Sequence, residues 1–138
     1  MDVTQIPFNE FIGLNYSDNP DYLLMMNDKQ EYKNHLGTVH ASVQFALAEA
    51  TSGYFLSKEF SGLTNIIAVV RNVELKYRKP ATGKIFSNAE FIKTEKKEVL
   101  NSLYESRRAL LKVEVSLFDA EHVLVLQSVF EWFVSVNK

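Results

Sequence analysis

The chain has 138 residues, a formal charge of -2, 23% charged residues and no cysteine. That length favours one domain over 1–138 and suffices for a sizeable core. The near-neutral balance argues against a nucleic-acid surface, which is normally basic. The missing cysteines exclude disulfides, thiolate nucleophiles and Cys-ligated zinc.

The opening MDVTQIPFNEFIGL has an acid at position 2 and no basic stretch before an apolar run, so it does not read as a signal peptide. No apolar stretch approaches the roughly 20 residues needed to span a bilayer. A soluble cytoplasmic protein with no membrane contact is the expectation. Residues 5–12, QIPFNEFI, suit a short helix with Pro7 in its first turn. YSDNPD is a turn by composition, and YLLMMN at 22–27 a short strand.

Residues 38–57 form the one long helix, with Thr38, His40 or Gly37 marking its start. SGLTN breaks the chain, and IIAVVRNVELKYR at 66–78 is β-branched and alternates in its second half. IFSNAEFIK at 85–93 is a further strand. At 110–118, Leu111, Val113, Val115 and Leu117 alternate with Lys112, Glu114 and Ser116, the pattern of a half-buried strand. DAEH turns, and VLVLQSVFEWFVSV returns as the last strand. Between strands, TEKKEVLNSLYESRR at 94–108 breaks the pattern, because Val99, Leu100 and Leu103 have helical spacing. It is predicted to be a helical excursion.

One long helix followed by strands indicates an α+β fold, an antiparallel sheet of five or six strands wrapped on that helix. Val43, Phe45, Leu47, Ala50, Tyr54 and Leu56 leave the helix no polar face of useful width. A helix apolar nearly all round is buried on nearly all sides. One sheet covers about half of it, so a homodimer, or a homotetramer built from it, is expected to cover more.

Glu49 is the only charged residue between Ala41 and Ser57, and no Lys or Arg lies within two turns of it. Its own face carries Ser42, Phe45, Ala46, Ser52 and Gly53, mostly small, which leaves room for a ligand or another backbone. Ala41 and Ser42 lie two turns earlier, where free N–H groups and the helix dipole can hold a carbonyl oxygen as it gains charge. That pairing suits acyl transfer or proton abstraction. The plainer alternatives are a solvent-facing Glu49, a capping His40, and Asn34 and Gly37 as turn residues. The basic set Arg71, Lys76, Arg78, Lys79 and Lys84 is expected to be a solvated strand edge. His35, His40 and His122 show no metal-ligand spacing, and no cofactor is called for.

The stretches N-x-x-G-T-V-H-A-S, FALAEATSG, VELKYRKPATGK and LFDAEHVLVLQSVFEWF together resemble the hotdog-fold acyl-CoA thioesterases of the phenylacetate-pathway type. The resemblance runs from about residue 11 to 135, and the excursion at 94–108 is similar to an uncharacterised branch of that superfamily. It implies a curled antiparallel sheet around the long helix, and dimers that hold an acyl thioester, of CoA or an acyl carrier, between one subunit's helix start and the other's acid. By the resemblance Glu49 matches the acid that acts as general base or nucleophile. Ala41, eight residues earlier, matches the glycine whose N–H polarises the thioester carbonyl. Asn34 and His40 match the polar residues that orient water and substrate.

Three departures accompany it. Ala41 and Ser42 replace the family's two glycines, and Val70 stands where some relatives carry a strand hydroxyl. A backbone donor survives Gly→Ala where φ is negative, but the side chains narrow the approach. A resemblance to hotdog 3-hydroxyacyl dehydratases pairs His35 with Glu49 by spacing, although their loop is proline-rich and HLGTVHAS has no proline. The third alternative is a non-catalytic acyl-binding dimer.

Overall fold

The computed structural model describes residues 2–137. Its strands are β1 (Asn15–Tyr16), β2 (Leu24–Met26), β3 (Ile66–Tyr77), β4 (Ile85–Phe91), β5 (Arg108–Asp119) and β6 (Leu124–Val136). Its helices are α1 (Pro7–Phe11), α2 (Ala41–Glu59) and α3 (Lys96–Ser106). The strands pair antiparallel in the order β1-β2-β4-β5-β6-β3, an α+β sheet wrapped on one long helix, as expected.

Alternation builds the inner face. Leu111 sits opposite Trp132, Val113 opposite Phe130 and Leu117 opposite Leu126, all of them buried. Side chains of a strand point alternately to two faces, so this hairpin has one apolar side that must be covered. The helix α2 covers it, with Leu47 and Ala48 at 0% exposure. It contacts β2, β4, β5 and β6.

Strand β3 changes phase partway. Ile66, Ala68 and Val70 are half-buried, then Val73 and Leu75 take the inward positions. The register slips between Val70 and Asn72, leaving Arg71 unpaired against β6. An extra residue of this kind flips the alternation and sharpens the local twist. β3 has β6 on one side and no strand on the other among the described residues.

The long helix begins three residues later than the predicted 38–57. Val39 N–H donates to the Ala81 carbonyl at 2.8 Å and His40 N–H to the Tyr32 carbonyl at 2.7 Å, which holds the chain extended up to His40. Its casing also differs from the expected apolar one. Gln44, Thr51 and Ser52 are buried, whereas Phe45 is 39% exposed. Thr51 and Ser87 share a hydroxyl–hydroxyl bond of 2.6 Å, and Trp132 Nε1 donates to Ser52 Oγ at 3.1 Å. Gln44, Thr51 and Ser52 therefore share the buried side of the helix with Leu47 and Ala48, while Phe45 lies on the outer side.

The excursion is a helix, as its spacing predicts. α3 rests on β5 and β6 through Val99 and Leu103, while Leu100 is 37% exposed and Tyr104 is 90% exposed. Lys96 pairs with Glu59 at 3.0 Å, so α3 closes over the end of α2 and takes no part in the groove beside Glu49.

α3 ends at Arg107, whose φ of 61° is left-handed and whose N–H donates to Leu103. A side chain there costs about 1 kcal/mol relative to glycine. Arg107→Gly should raise stability in chemical denaturation by up to about 1 kcal/mol, offset in part by the looser unfolded chain. A loss of stability would mean that the Arg107 side chain makes a compensating contact.

Candidate active site

The exposed flank of α2 carries Ser42, Phe45, Ala46, Glu49 and Gly53, at the spacings that place residues on one helical face. Glu49 is half-buried there and lines a groove of about 1010 Å³. Its floor is Trp132 and Val134 of the sheet, and its walls come from the second half of α2, the start of β3 and the segment from Val3 to Asn9. Gly53 lies against the indole, and a Cβ there would meet Trp132 at 3.5 Å, an ordinary contact distance.

Among the described residues no cation pairs with Glu49 and no donor bonds its carboxylate. Burial alone raises its carboxyl above the ordinary value of 4.5. The solvent-facing reading of Glu49 is therefore too simple: the acid is partly desolvated, without a cation among the described residues, and at a groove.

The helix start is built separately. His40 Nδ1 accepts the Ser42 N–H at 2.9 Å and caps α2, which leaves Nε2 at the exposed rim. Val43 and Gln44 N–H both reach the His40 carbonyl. The Ala41 N–H donates to no protein acceptor among the described residues, and Ala41 and Ser42 are both exposed. Ala41 has no positive φ, so its side chain costs the backbone nothing.

Asn34 is occupied by its own loop. Its Oδ1 accepts from Leu36 N–H at 2.9 Å and Thr38 N–H at 3.1 Å, and its Nδ2 donates to Thr38 Oγ1 at 2.9 Å. That is an Asx-type turn, and it sets the approach of the chain to the helix. Gly37 completes it with a φ of 79°.

Asn34, His40, Ala41 and Ser42 thus gather at one end of α2, and Glu49 lies away from them. Eight residues of helix separate Ala41 from Glu49 by about 12 Å. One protomer does not bring the free N–H and the carboxylate to a single carbonyl. His35 is exposed in the loop and does not line the groove that Glu49 lines. Val70 pairs with Trp132 on β6, beside the β3 bulge.

Sequence reasoning missed three contributors. Tyr77 at the end of β3 donates its hydroxyl to the Ala41 carbonyl at 3.0 Å, tying that strand to the helix start. Burial raises the Tyr77 phenol. Trp132 forms the groove floor, and its only sequence signal is its inward place in the β6 alternation. The N-terminal segment forms a wall that no periodicity announces.

The basic set does not converge. Arg71 stands at the bulge, Arg78 donates to Gln127 Oε1 at 2.9 Å, and Lys84 pairs with Asp18. His122 Nδ1 meets the Tyr22 hydroxyl at 2.6 Å on a hairpin far along the chain. Among the described residues no three His, Asp or Glu gather as metal ligands do, and no helix is long and apolar enough to cross a membrane.

The sheet and helix are shared with solved proteins. A protein of unknown function from Pseudomonas aeruginosa, described as a probable thioesterase, superposes with a TM-score of 0.80 at 25% identity, over 98% of this chain and 91% of that one. A Bacillus halodurans protein crystallised with CoA superposes at 0.65 and 16% identity, over 80% of this chain and 69% of that one. A Staphylococcus aureus thioesterase superposes at 0.71 and 14% identity, over 93% of this chain and 98% of that one. No curated protein matches the chain. The architecture is the hotdog fold of the thioesterase superfamily. The family model described as domain of unknown function DUF4442 matches residues 18–134, and the chain belongs to that family.

Proposed function

We propose that this protein hydrolyses acyl thioesters, carried on CoA or an acyl carrier, at a site shared between two copies of the chain. The observation that carries this reading is Glu49, a desolvated carboxylate without a cation, lining an apolar groove. A buried unpaired charge is costly for folding, and groups with such perturbed titration concentrate at functional sites.

In the proposed reaction the Ala41 N–H of one protomer holds the thioester oxygen as it becomes an oxyanion. Glu49 of the other acts on the carbonyl carbon, either by taking a proton from the attacking water or by attacking it directly. The tetrahedral intermediate then expels the thiolate. After water attack this gives the free acid; after direct attack it gives a Glu49 anhydride, which water hydrolyses to the acid and the free carboxylate. Asn34 and His40 shape the loop and cap that present the Ala41 N–H, and Ser42 stands beside it. A homodimer is required because Ala41 and Glu49 are too far apart in one chain. The open edge of β3, with Val69 at 51% exposure, is the surface we assign to the contact.

Two neighbours support the reading by likeness. The Bacillus halodurans protein is bound to CoA. The Staphylococcus aureus thioesterase has been crystallised with a glutamine replaced and, separately, with a glutamate replaced; those two positions are as far apart as Asn34 and Glu49.

Glu49→Gln keeps size and hydrogen bonding but removes the charge. It should lower acyl-CoA turnover, read as free-thiol release, by about 100-fold or more. Wild-type turnover in the Gln variant would remove Glu49 from the chemistry. No turnover by the native chain on any acyl-CoA would leave a non-catalytic acyl-binding dimer.

The same substitution has a pH signature. Because the folded carboxyl titrates above its unfolded value, the native state holds the proton through a window that starts near 4.5. Stability from this group is present below the unfolded value and is lost as pH rises through the raised folded one. Glu49→Gln should therefore match or exceed the wild type in stability at neutral pH and flatten that decline. A variant less stable than the wild type at neutral pH would point to a structural partner for Glu49.

Light scattering at low micromolar concentration should give about twice the 15.8 kDa chain mass, or a multiple of that dimer, with no folded monomer. A stable folded monomer would remove the shared site.

A further inference from the structure

The groove beside Glu49 is much longer than a reacting carbonyl needs. It follows α2 from Glu49 through Gly53 and Leu56 to Phe60, then continues past Leu63 to Ile66 at the start of β3. At the helical rise of 1.5 Å per residue, Glu49 to Phe60 alone spans about 16 Å. Glu49 marks one end of this run, and Lys58, drawn over the Tyr54 ring at 5.3 Å, stands towards the other. Between them the floor is Trp132 and Val134, with no other charged side chain.

A further wall is supplied by Val3, Ile6, Phe8 and Asn9, which precede the 18–134 stretch matched by the family model. This segment is held in place. Asp2 Oδ1 accepts from the Thr4 N–H at 2.9 Å and the Tyr16 hydroxyl at 2.8 Å, and Tyr16 meets the Tyr54 ring edge-on. Buried Asn9 donates to the Val3 carbonyl at 3.1 Å. Anchored so, Ile6 and Phe8 line the groove, and Phe8 is 60% exposed there. Phe11, one turn on, is 86% exposed and does not line it.

We infer that this groove is an acyl-chain subsite for a linear chain of about a dozen carbons, with Ile6 and Phe8 as its specificity-determining wall. An extended chain advances about 1.2 Å per bond, so a span of about 16 Å takes roughly 13 bonds. A volume of about 1010 Å³ lies at the upper end for small-ligand sites, far beyond a two- to four-carbon acyl group. The inference rests on the thioesterase reading for which end of the chain meets Glu49, but the subsite itself is tested by binding alone.

Trp132 is the single tryptophan, and it forms the groove floor, so its emission reports occupancy directly. Saturated fatty acids from about four to about sixteen carbons would be titrated below their micelle concentrations. Affinity should rise about two- to fourfold per methylene and level off at about twelve to fourteen carbons. Phe8→Ala should weaken tetradecanoate about three- to tenfold and leave hexanoate within about twofold. Phe11→Ala, on the same short helix but outside the groove, should change neither. An absent Trp132 response, affinity flat beyond about six carbons, or a Phe8→Ala variant that binds like the wild type would overturn the subsite. Parallel hydrolysis assays on the same acyl-CoA series separate the two claims. Chain-length-dependent binding without hydrolysis keeps the subsite and removes the thioesterase, and hydrolysis indifferent to length does the reverse.

Discussion

The rotation of α2 about its own axis decides where everything else lies. Two polar side chains on its buried side fix that rotation. Thr51 bonds Ser87 at 2.6 Å, and Ser52 accepts from Trp132 Nε1 at 3.1 Å. A buried hydroxyl or amide left unpaired costs about 1–3 kcal/mol, and one residue of slip turns the helix by about 100°. The Thr51–Ser87 and Trp132–Ser52 bonds would be lost together. With Thr51 and Ser52 locked onto the sheet, Glu49 must lie on the flank that the sheet does not reach.

That flank explains why an unpaired acid is tolerated. One curled sheet cannot enclose a nineteen-residue helix, so a strip of it stays at half exposure in a single chain. Glu49 sits on this strip among Ala46, Gly53 and Phe45, partly desolvated but still reached by solvent. The cost of the charge is therefore reduced rather than cancelled, and the absence of a counter-ion leaves the carboxylate available for chemistry. A neighbouring lysine would remove the cost and the availability together.

Much of the sheet was legible because β5 and β6 alternate cleanly, and a two-residue period survives without knowledge of partners. The α3 excursion was legible from Val99 and Leu103 one turn apart. The limits of α2 were not, because two backbone bonds from distant residues, Tyr32 and Ala81, hold Val39 and His40 extended. Nor was its orientation. Helical spacing places Ser52 on the face of Glu49, whereas it is buried against Trp132. The partners of Thr51 and Ser52, Ser87 and Trp132, lie far along the chain. At the site, the isolation of Glu49 was visible in the sequence, since it needs only the absence of charge nearby. The plain roles of Asn34 as a turn residue and His40 as a cap follow from local spacing. Tyr77 against Ala41 and the wall formed by Ile6 and Phe8 depend on tertiary placement and leave no periodic trace.

The presence of Ala41 and Ser42 where the thioesterase resemblance implies two glycines can be weighed in the same terms. Glycine at a helix start is needed when φ is positive or when another group must touch the backbone. The first condition is absent, since Ala41 and Ser42 belong to a regular right-handed turn capped by His40. The second concerns only the space above the N–H, and both residues are exposed rather than packed. Tyr77 holds the Ala41 carbonyl from the opposite side, so the first peptides of α2 are clamped between the cap and a strand end. What the side chains remove in clearance, the clamp offsets in direction: the Ala41 N–H keeps a fixed line of approach. A donor with one open direction suits a carbonyl delivered from outside the chain. In the proposed dimer, the uncovered flank of a second α2 delivers it.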